Sequence, residues 1–587
     1  MITPNNGAFA SKIPRSASVS MRANPSMKRR NAGLGLFILS CLLTAGASAQ
    51  DLSNPDTPPV TLTGSLVTSA ENYSIPGLAT NRPVNTARMY FNPTLSIYGI
   101  DLPFSFVLST EERSFNQPFN QFGVSPRYKW LTLHAGYRTL RISDFSLSDA
   151  LILGGGLEVD ADWFHASAMY GRFRRSVAED TLAGIIPVYR QMGWATKIGF
   201  GSQQNFFNIN MLHAWDDSTS LSAAPVKSAV YPRENLVFGL NGMLTFMEGR
   251  FVLAGEIAGS FMSRDTRLPE TDLSGNPLLH LGLFTERLST RFNLAMKTSA
   301  TYRSEVFIGR IEYARVEPEY ESMGVLYLQN DKEEVTFAPT AIIAGGKLRA
   351  GGSIGLQWDN LYNNLAYTTR RVISSANINW MPSSSFGVDA AYSNYSMNNR
   401  SAALQVNDST RVENVTQSFS VSPRYSFLTG TMQHFILLYV TRQEYADRNI
   451  LTGALSDNDV LTAMLSYSGT LSTGLGFTAS FQYTDMNTAY VSNRITGITI
   501  GGSRPFFDNS LYASLQYTLN LTKASTESDT DVQHLVTLSF RYKVTNADAL
   551  DLYFQFNTYN AADPSRTSYS GTQTRLQYSR SFSFGMN

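Results

Sequence analysis

The sequence predicts an all-β fold: a transmembrane antiparallel up-and-down β-barrel of about 26 strands, with 24 as the alternative count. Three observations predict it. Blocks about ten residues long with alternating apolar and polar side chains recur along nearly the whole chain. A secretory address stands at the N-terminus. The connections between blocks alternate between tight and long. The unit is visible at 511–521, where Leu511, Leu515, Tyr517, Leu519 and Leu521 alternate with Ser514, Gln516, Thr518 and Asn520. Successive side chains of a strand point to opposite faces, so this segment has one apolar face and one polar face. A strand of a soluble sandwich would look the same locally, so the number of blocks and the address decide.

The address comes first in the chain. Lys28, Arg29 and Arg30 precede the apolar run Gly33–Thr44, and Ala47-Ser48-Ala49 follows, which reads as a signal peptide cleaved before Gln50. The run is too short for a membrane span. Residues 1–26 extend the n-region, and a start at Met27 would give an ordinary signal. Cys41, the only cysteine, lies in the apolar run. A lipoprotein site is the sharper reading, but Leu42 and Leu43 after it favour an incidental residue. The mature chain then has no cysteine, so disulfides are excluded as its stabilising device. Removing the six basic residues of the signal from 47 leaves 41 against 46 acidic ones, a net charge of −5. No basic patch suggests nucleic acid. Charged residues make up only 16%, well below the roughly 25% of soluble domains.

After a periplasmic leader at 50–58, alternation and turn residues predict strands near 59–71, 87–98, 104–112, 121–129, 130–140, 151–159, 162–172, 188–199, 203–214, 235–247 and 250–262. They continue near 289–300, 304–315, 335–344, 349–358, 369–380, 384–394, 415–427, 431–442, 458–468, 474–484, 491–502, 511–521, 531–544, 549–558 and 571–584. Tight connections such as Lys129-Trp130, Glu248-Gly249 and Thr429-Gly430 alternate with long ones such as 173–189, 215–234 and 263–288. Short turns at one rim and long loops at the other are the asymmetry of an outer-membrane barrel. Residues 322–328 look like a strand, but counting them breaks this alternation, so 316–334 is read as a long outer loop with local β structure.

Only a closed sheet leaves no backbone group unpaired in hydrocarbon. Leu550, Leu552, Phe554 and Phe556 are assigned to lipid, as are Val536, Leu538, Phe540, Tyr542 and Val544. The lumen-lining set is then Ser514, Gln516, Thr518, Asn520, Thr537, Ser539, Arg541, Lys543, Asp551, Tyr553, Gln555 and Asn557. Arg541 and Lys543 fix the direction, because a cation at mid-membrane on the lipid side costs about 2–4 kcal/mol. Leu576, Tyr578, Phe582 and Phe584 give the last strand an ending that resembles the aromatic one read by the outer-membrane assembly machinery, although Gly585-Met586-Asn587 trail beyond it.

Two stretches carry a resemblance: Phe119–Arg138, which includes Val124-Ser125-Pro126-Arg127-Tyr128, and Tyr313–Gly324 with Gln329-Asn330-Asp331 after it. Together they resemble uncharacterised outer-membrane β-barrel proteins of Bacteroidota-type bacteria. The resemblance implies the fold and the location and supplies no activity. Val124–Tyr128 recurs as Val421–Tyr425. A duplicated half-barrel is one reading. The other is a reused strand-end solution, and little else aligns around the two copies.

Chemistry is sparse. None of the six histidines has a partner at metal-ligand spacing, so neither metal nor cofactor is expected. His213 with Asp216 and Asp217 is the best catalytic candidate, but no nucleophile accompanies it, so the chain is read as no enzyme. Gly154-Gly155-Gly156 lacks the Lys-Ser/Thr of a phosphate loop and marks a bend or a close approach in a strand. The acidic set Glu317, Glu319, Glu321, Asp331, Glu333 and Glu334 is a candidate calcium loop, but without EF-hand spacing a solvated loop is the better reading.

A plugged transporter would need an N-terminal plug domain, and only about ten residues separate Gln50 from the first strand, so none is expected. A 26-stranded barrel is wider than a porin of 16–18 strands, which already leaves an aqueous channel. Either outer loops fold inward or a partner protein occupies the lumen. The expected function is a channel or transport conduit for a large solute or polymer. The alternative is a structural or secretion-complex barrel that holds another polypeptide, and a membrane-barrel hydrolase comes a distant third. Expected partners are outer-membrane lipid, the assembly machinery, and a lumen-filling or surface protein.

Overall fold

The computed structural model describes residues 60–586 apart from 79–81, 99, 111–120, 149, 182–183, 222–228, 272–281, 366, 402–412 and 450. The expected signal peptide, Cys41, the leader at 50–58 and His280 lie outside the described residues.

Each strand pairs antiparallel with the next in sequence, beginning at Val60–Ser74. The last strand, Tyr569–Met586, pairs back onto the first, from Val60 opposite Met586 to Ser74 opposite Thr572. The sheet is therefore a closed barrel without an edge. It contains 27 hydrogen-bonded segments, of which Gln121–Val124 and Arg127–Tyr128 are one strand interrupted at Pro126. Proline has no N–H to give the ladder. The register nevertheless continues unchanged, with Val124 opposite Ala135 and Arg127 opposite Thr132, so the barrel has 26 strands. Val421–Tyr425, by contrast, lies inside the continuous strand Glu413–Thr429.

The connections keep two kinds of rim. Those at 129–130, 161–163, 247–250, 344–347 and 507–510 are tight, and those at 175–189, 218–233 and 264–289 are long. One connection at the long-loop rim, 489–491, is short, which departs from the expected alternation of lengths without disturbing the phase. The strand expected from 104 begins at Ile100.

The outer face carries the apolar residues. Leu133, Ile209, Ile354 and Leu515 are all exposed there, a belt whose natural neighbour is hydrocarbon rather than water. Trp163, Trp380, Tyr425 and Phe507 are exposed near the tight-turn rim, as interfacial aromatics are. At the closing seam Phe582 lies 6.1 Å from Phe91 and 6.0 Å from Phe584. Gly64 makes room for it: a Cβ there would lie 2.8 Å from the Phe582 ring and 2.6 Å from the Asn92 carbonyl oxygen.

A second glycine feature runs across strands. Gly123, Gly136, Gly154, Gly171 and Gly193 are successive register partners. A Cβ on Gly154 would lie 2.0 Å from the Tyr170 carbonyl oxygen, and one on Gly171 would lie 2.5 Å from that of Leu153. Neighbouring strands approach so closely here that no side chain fits between them.

Candidate functional site

The loop at 140–150 follows the strand Leu131–Thr139, and the loop at 317–331 follows the strand Phe307–Val316. They leave the sheet far apart yet meet each other. Gly324–Val325 pairs parallel with Leu147–Ser148. The side chains they bury on the sheet, including Ile152, Met169, Leu212, Val237, Ala258 and Ala295, alternate with the exposed outer belt. Both loops therefore lie inside the barrel, forming a strap over the inner wall.

The strap is held by apolar burial and by specific hydrogen bonds. Leu147, Ile152, Leu212 and Val237 are completely buried, and each such side chain contributes about 1.5–3 kcal/mol. Tyr320 donates its hydroxyl to the Phe145 carbonyl at 3.0 Å, and Ser322 donates to that of Ser146 at 2.6 Å. Burial, with a smaller contribution from the Glu256 carboxylate, pushes the Tyr320 phenol far above its ordinary pKa, so it stays a donor. The wall supplies the remaining fasteners. Gln191 donates its amide to the Met323 carbonyl at 3.0 Å, and Ser260 donates to that of Glu321 at 2.6 Å. Asn235 accepts from the Met323 N–H at 2.9 Å while donating to the Phe261 carbonyl at 3.0 Å. Glu256 accepts the backbone N–H groups of Asp144 and Phe145 at 3.3 and 3.1 Å. Beside it, Lys297 lies 3.7 Å from Asp144 and 3.6 Å from Glu312.

This corrects the reading of 316–334 as a solvated outer loop. Tyr320, Ser322 and Met323 are buried, because Met323 packs against Ala214 and Met262 of the inner wall while the Tyr320 ring meets Phe145 of the other strap loop edge-on. The six acidic residues do not converge. Glu317 accepts from the Leu294 N–H, and Glu321 pairs with Arg233 and Arg264, which also reaches Glu319. Asp331 accepts the N–H groups of Asn360 and Leu361. Glu333 pairs with Arg315 and Glu334 with Lys332. Among the described residues no three His, Cys, Asp or Glu side chains are grouped to hold a metal ion.

The His213, Asp216 and Asp217 candidate is likewise not assembled, because adjacent strand residues face opposite ways. His213 bonds Glu234 at 2.9 Å on the outer face, with its ring 5.0 Å from that of Trp215. Asp216 is a register partner of the inward Gln191, and it pairs with Arg233. Asp217 binds Arg190 instead.

The twelve residues assigned to the lumen share one face of the sheet. Ser514 stands opposite Ser539, Gln516 opposite Thr537 opposite Gln555, Arg541 opposite Asp551, and Tyr553 opposite Arg575. Ser539 pairs in turn with Tyr553, Asn557 with Leu535, which faces Thr518, and Lys543 with Ala549. Asn520 donates to Gln533 at 3.2 Å, and Gln533 donates to Asn557 at 3.1 Å. Followed strand by strand, the register joins this face to the one under the strap. Inward-folding loops are one of the two expectations for the lumen, but which loops form the strap escaped the sequence reading, although a signal for it exists. Leu236-Val237-Phe238 and Leu294-Ala295-Met296 lose the alternation, giving their strands two apolar faces.

No protein-family model matches the chain, and no curated protein matches it. Among solved structures, Pseudomonas aeruginosa OpdK with vanillate is 10% identical, covering 60% of this chain and 93% of its own, with a TM-score of 0.30. Acinetobacter baumannii OccAB3 is also 10% identical, covering 66% and 99%, with a TM-score of 0.30. The P pilus usher (PapC) translocation pore is 13% identical, covering 89% and 99%, with a TM-score of 0.32. Likenesses this low bear on no substrate and no mechanism.

Proposed function

We propose that the protein is an outer-membrane conduit for a large solute or polymer, with a lumen narrowed by its own inward strap. The observation that carries this reading is the contrast between two inner walls. One carries a buried apolar cluster and is covered by the strap. On the other, the inward-facing Gln482 and Gln516 are exposed, so polar wall is left uncovered. A barrel of this size encloses far more than the side chains of its own wall can fill. No catalytic step is assigned to the His213–Asp216 pair, whose two members sit on opposite faces of the sheet.

Planar-bilayer conductance of the purified chain tests the reading, together with a pull-down from native membranes. The expected result is steady conductance by the protein alone. A closed barrel that co-purifies with a stoichiometric polypeptide would overturn the conduit in favour of a barrel that holds another chain.

A further inference from the structure

The uncovered wall has an unusual composition. Five consecutive strands, Met432–Asp447, Asn458–Leu471, Gly476–Thr488, Ser492–Phe506 and Leu511–Ala524, contribute their inward faces to it. The register fixes which positions those are, since Thr441 stands opposite Thr462, which faces Thr484, while Thr499 stands opposite Thr518. The inward positions 433–445, 458–470, 476–488, 493–505 and 512–524 contain no Asp, Glu, Lys or Arg, and Asp447, the last inward residue of its strand, is engaged at the rim by Thr452 and Ser456. The charged pairs of these strands, Arg442 with Asp459 and Arg494 with Asp485, sit at the alternate, outer positions. The strap wall, in contrast, carries Glu256, Lys297 and Glu312 inward.

Hydroxyls take the place of charge. Thr462 and Thr484 are 3.1 Å apart, Thr499 and Thr518 are 2.9 Å apart, and Ser514 and Ser539 are 2.5 Å apart. In each pair one O–H is spent on its neighbour, which leaves the second O–H and spare lone pairs to face the lumen. The wall thus offers donors and acceptors side by side, with no fixed field. An ion moving onto it loses hydration without gaining a counter-charge. An apolar solute strips water from hydroxyls it cannot satisfy. A neutral solute bearing many hydroxyls exchanges water for like groups at almost no cost, and many weak equivalent contacts let it leave as readily as it enters. The exposed Tyr512 ring adds an apolar surface for the C–H face of a sugar.

We infer that this wall is the track of a neutral carbohydrate, an oligosaccharide or polysaccharide chain. The inference rests on the conduit reading and names its cargo class. The test uses the full-length protein in planar bilayers, with maltoheptaose, a polyethylene glycol of matched hydrodynamic radius, and a sulfated oligosaccharide of similar length. Maltoheptaose is expected to interrupt the current at a concentration about tenfold lower than either of the others. The variant Thr499→Val/Thr518→Val/Ser514→Ala is expected to lose that preference. Thr499→Ser/Thr518→Ser, which keeps the hydroxyls, is expected to retain it. Heat-modifiable migration on gels establishes that each variant is folded. A wild-type protein that does not conduct defeats the conduit reading itself. One that conducts, but is blocked equally by all three solutes or best by the sulfated one, defeats the carbohydrate assignment alone.

Discussion

Asn235 is fully buried and acts as a clip between wall and strap, accepting from Met323 and donating to Phe261 and Ser260. Asn235→Ala strands the Met323 N–H in a dry interface, and the loss is expected to be about 2–4 kcal/mol of local stability. Hydrogen exchange of 317–331 is the readout, and exchange equal to the wild-type rate would show that the clip is dispensable. Asp265, in the long outer loop 264–289, behaves differently because it is held by charge. Its carboxylate accepts from the Arg267 guanidinium at 2.8 and 2.9 Å and from the Arg267 N–H at 3.0 Å. The Arg267 side chain holds the Asp265 pKa below the ordinary carboxylate range. A depressed carboxyl pKa stabilises the folded loop above the unfolded pKa of about 3.9, and that contribution is lost as pH falls through the lower folded value. Exchange at 264–268, corrected for intrinsic rates, is therefore expected to stay constant from neutrality to about pH 4 and to rise below it. Asp265→Asn removes the dependence.

At the scale of strands, the glycine row and the seam are the sensitive places. Gly154→Val puts a branched side chain where even a Cβ meets the Tyr170 oxygen at 2.0 Å, so the strands Leu151–Asp160 and Phe164–Arg174 must separate. Loss of the heat-modifiable species is expected. Gly64→Ala is expected to weaken closure more mildly, lowering the temperature at which the barrel opens on a gel. A Gly64→Ala protein that opens at the wild-type temperature would show that Phe582 can move aside. Strands of this kind were legible in the sequence because lipid on one side and water on the other force strict alternation, and Leu550–Asn557 obeys it. The strap was not legible for the same physical reason. At Leu236-Val237-Phe238 the inner neighbour is protein rather than water, so the polar half of the alternation disappears and the segment resembles any buried strand. The acidic residues of 317–334 pointed to solvent, and their partners, such as Arg233, Arg264 and Arg315, come from elsewhere in the chain. Sequence spacing does not carry that information.

For the whole molecule, the strap and the bare wall set the width of the passage. Replacing 318–330 with a short Gly-Ser linker is expected to raise single-channel conductance severalfold, since the apolar wall beneath still faces the lumen while the loop no longer narrows it. Unchanged conductance in a folded variant would show that the limiting constriction lies elsewhere. The closed seam has a further consequence, one of timing. Val60–Ser74 cannot find its second partner until Tyr569–Met586 has been delivered, whereas the strap joins residues only as far along the chain as Leu361. All the partners of its tyrosine, methionine and leucines are therefore in hand while the wall is still an open, curving sheet, and the inner furnishing of this barrel can be laid down before the seam exists.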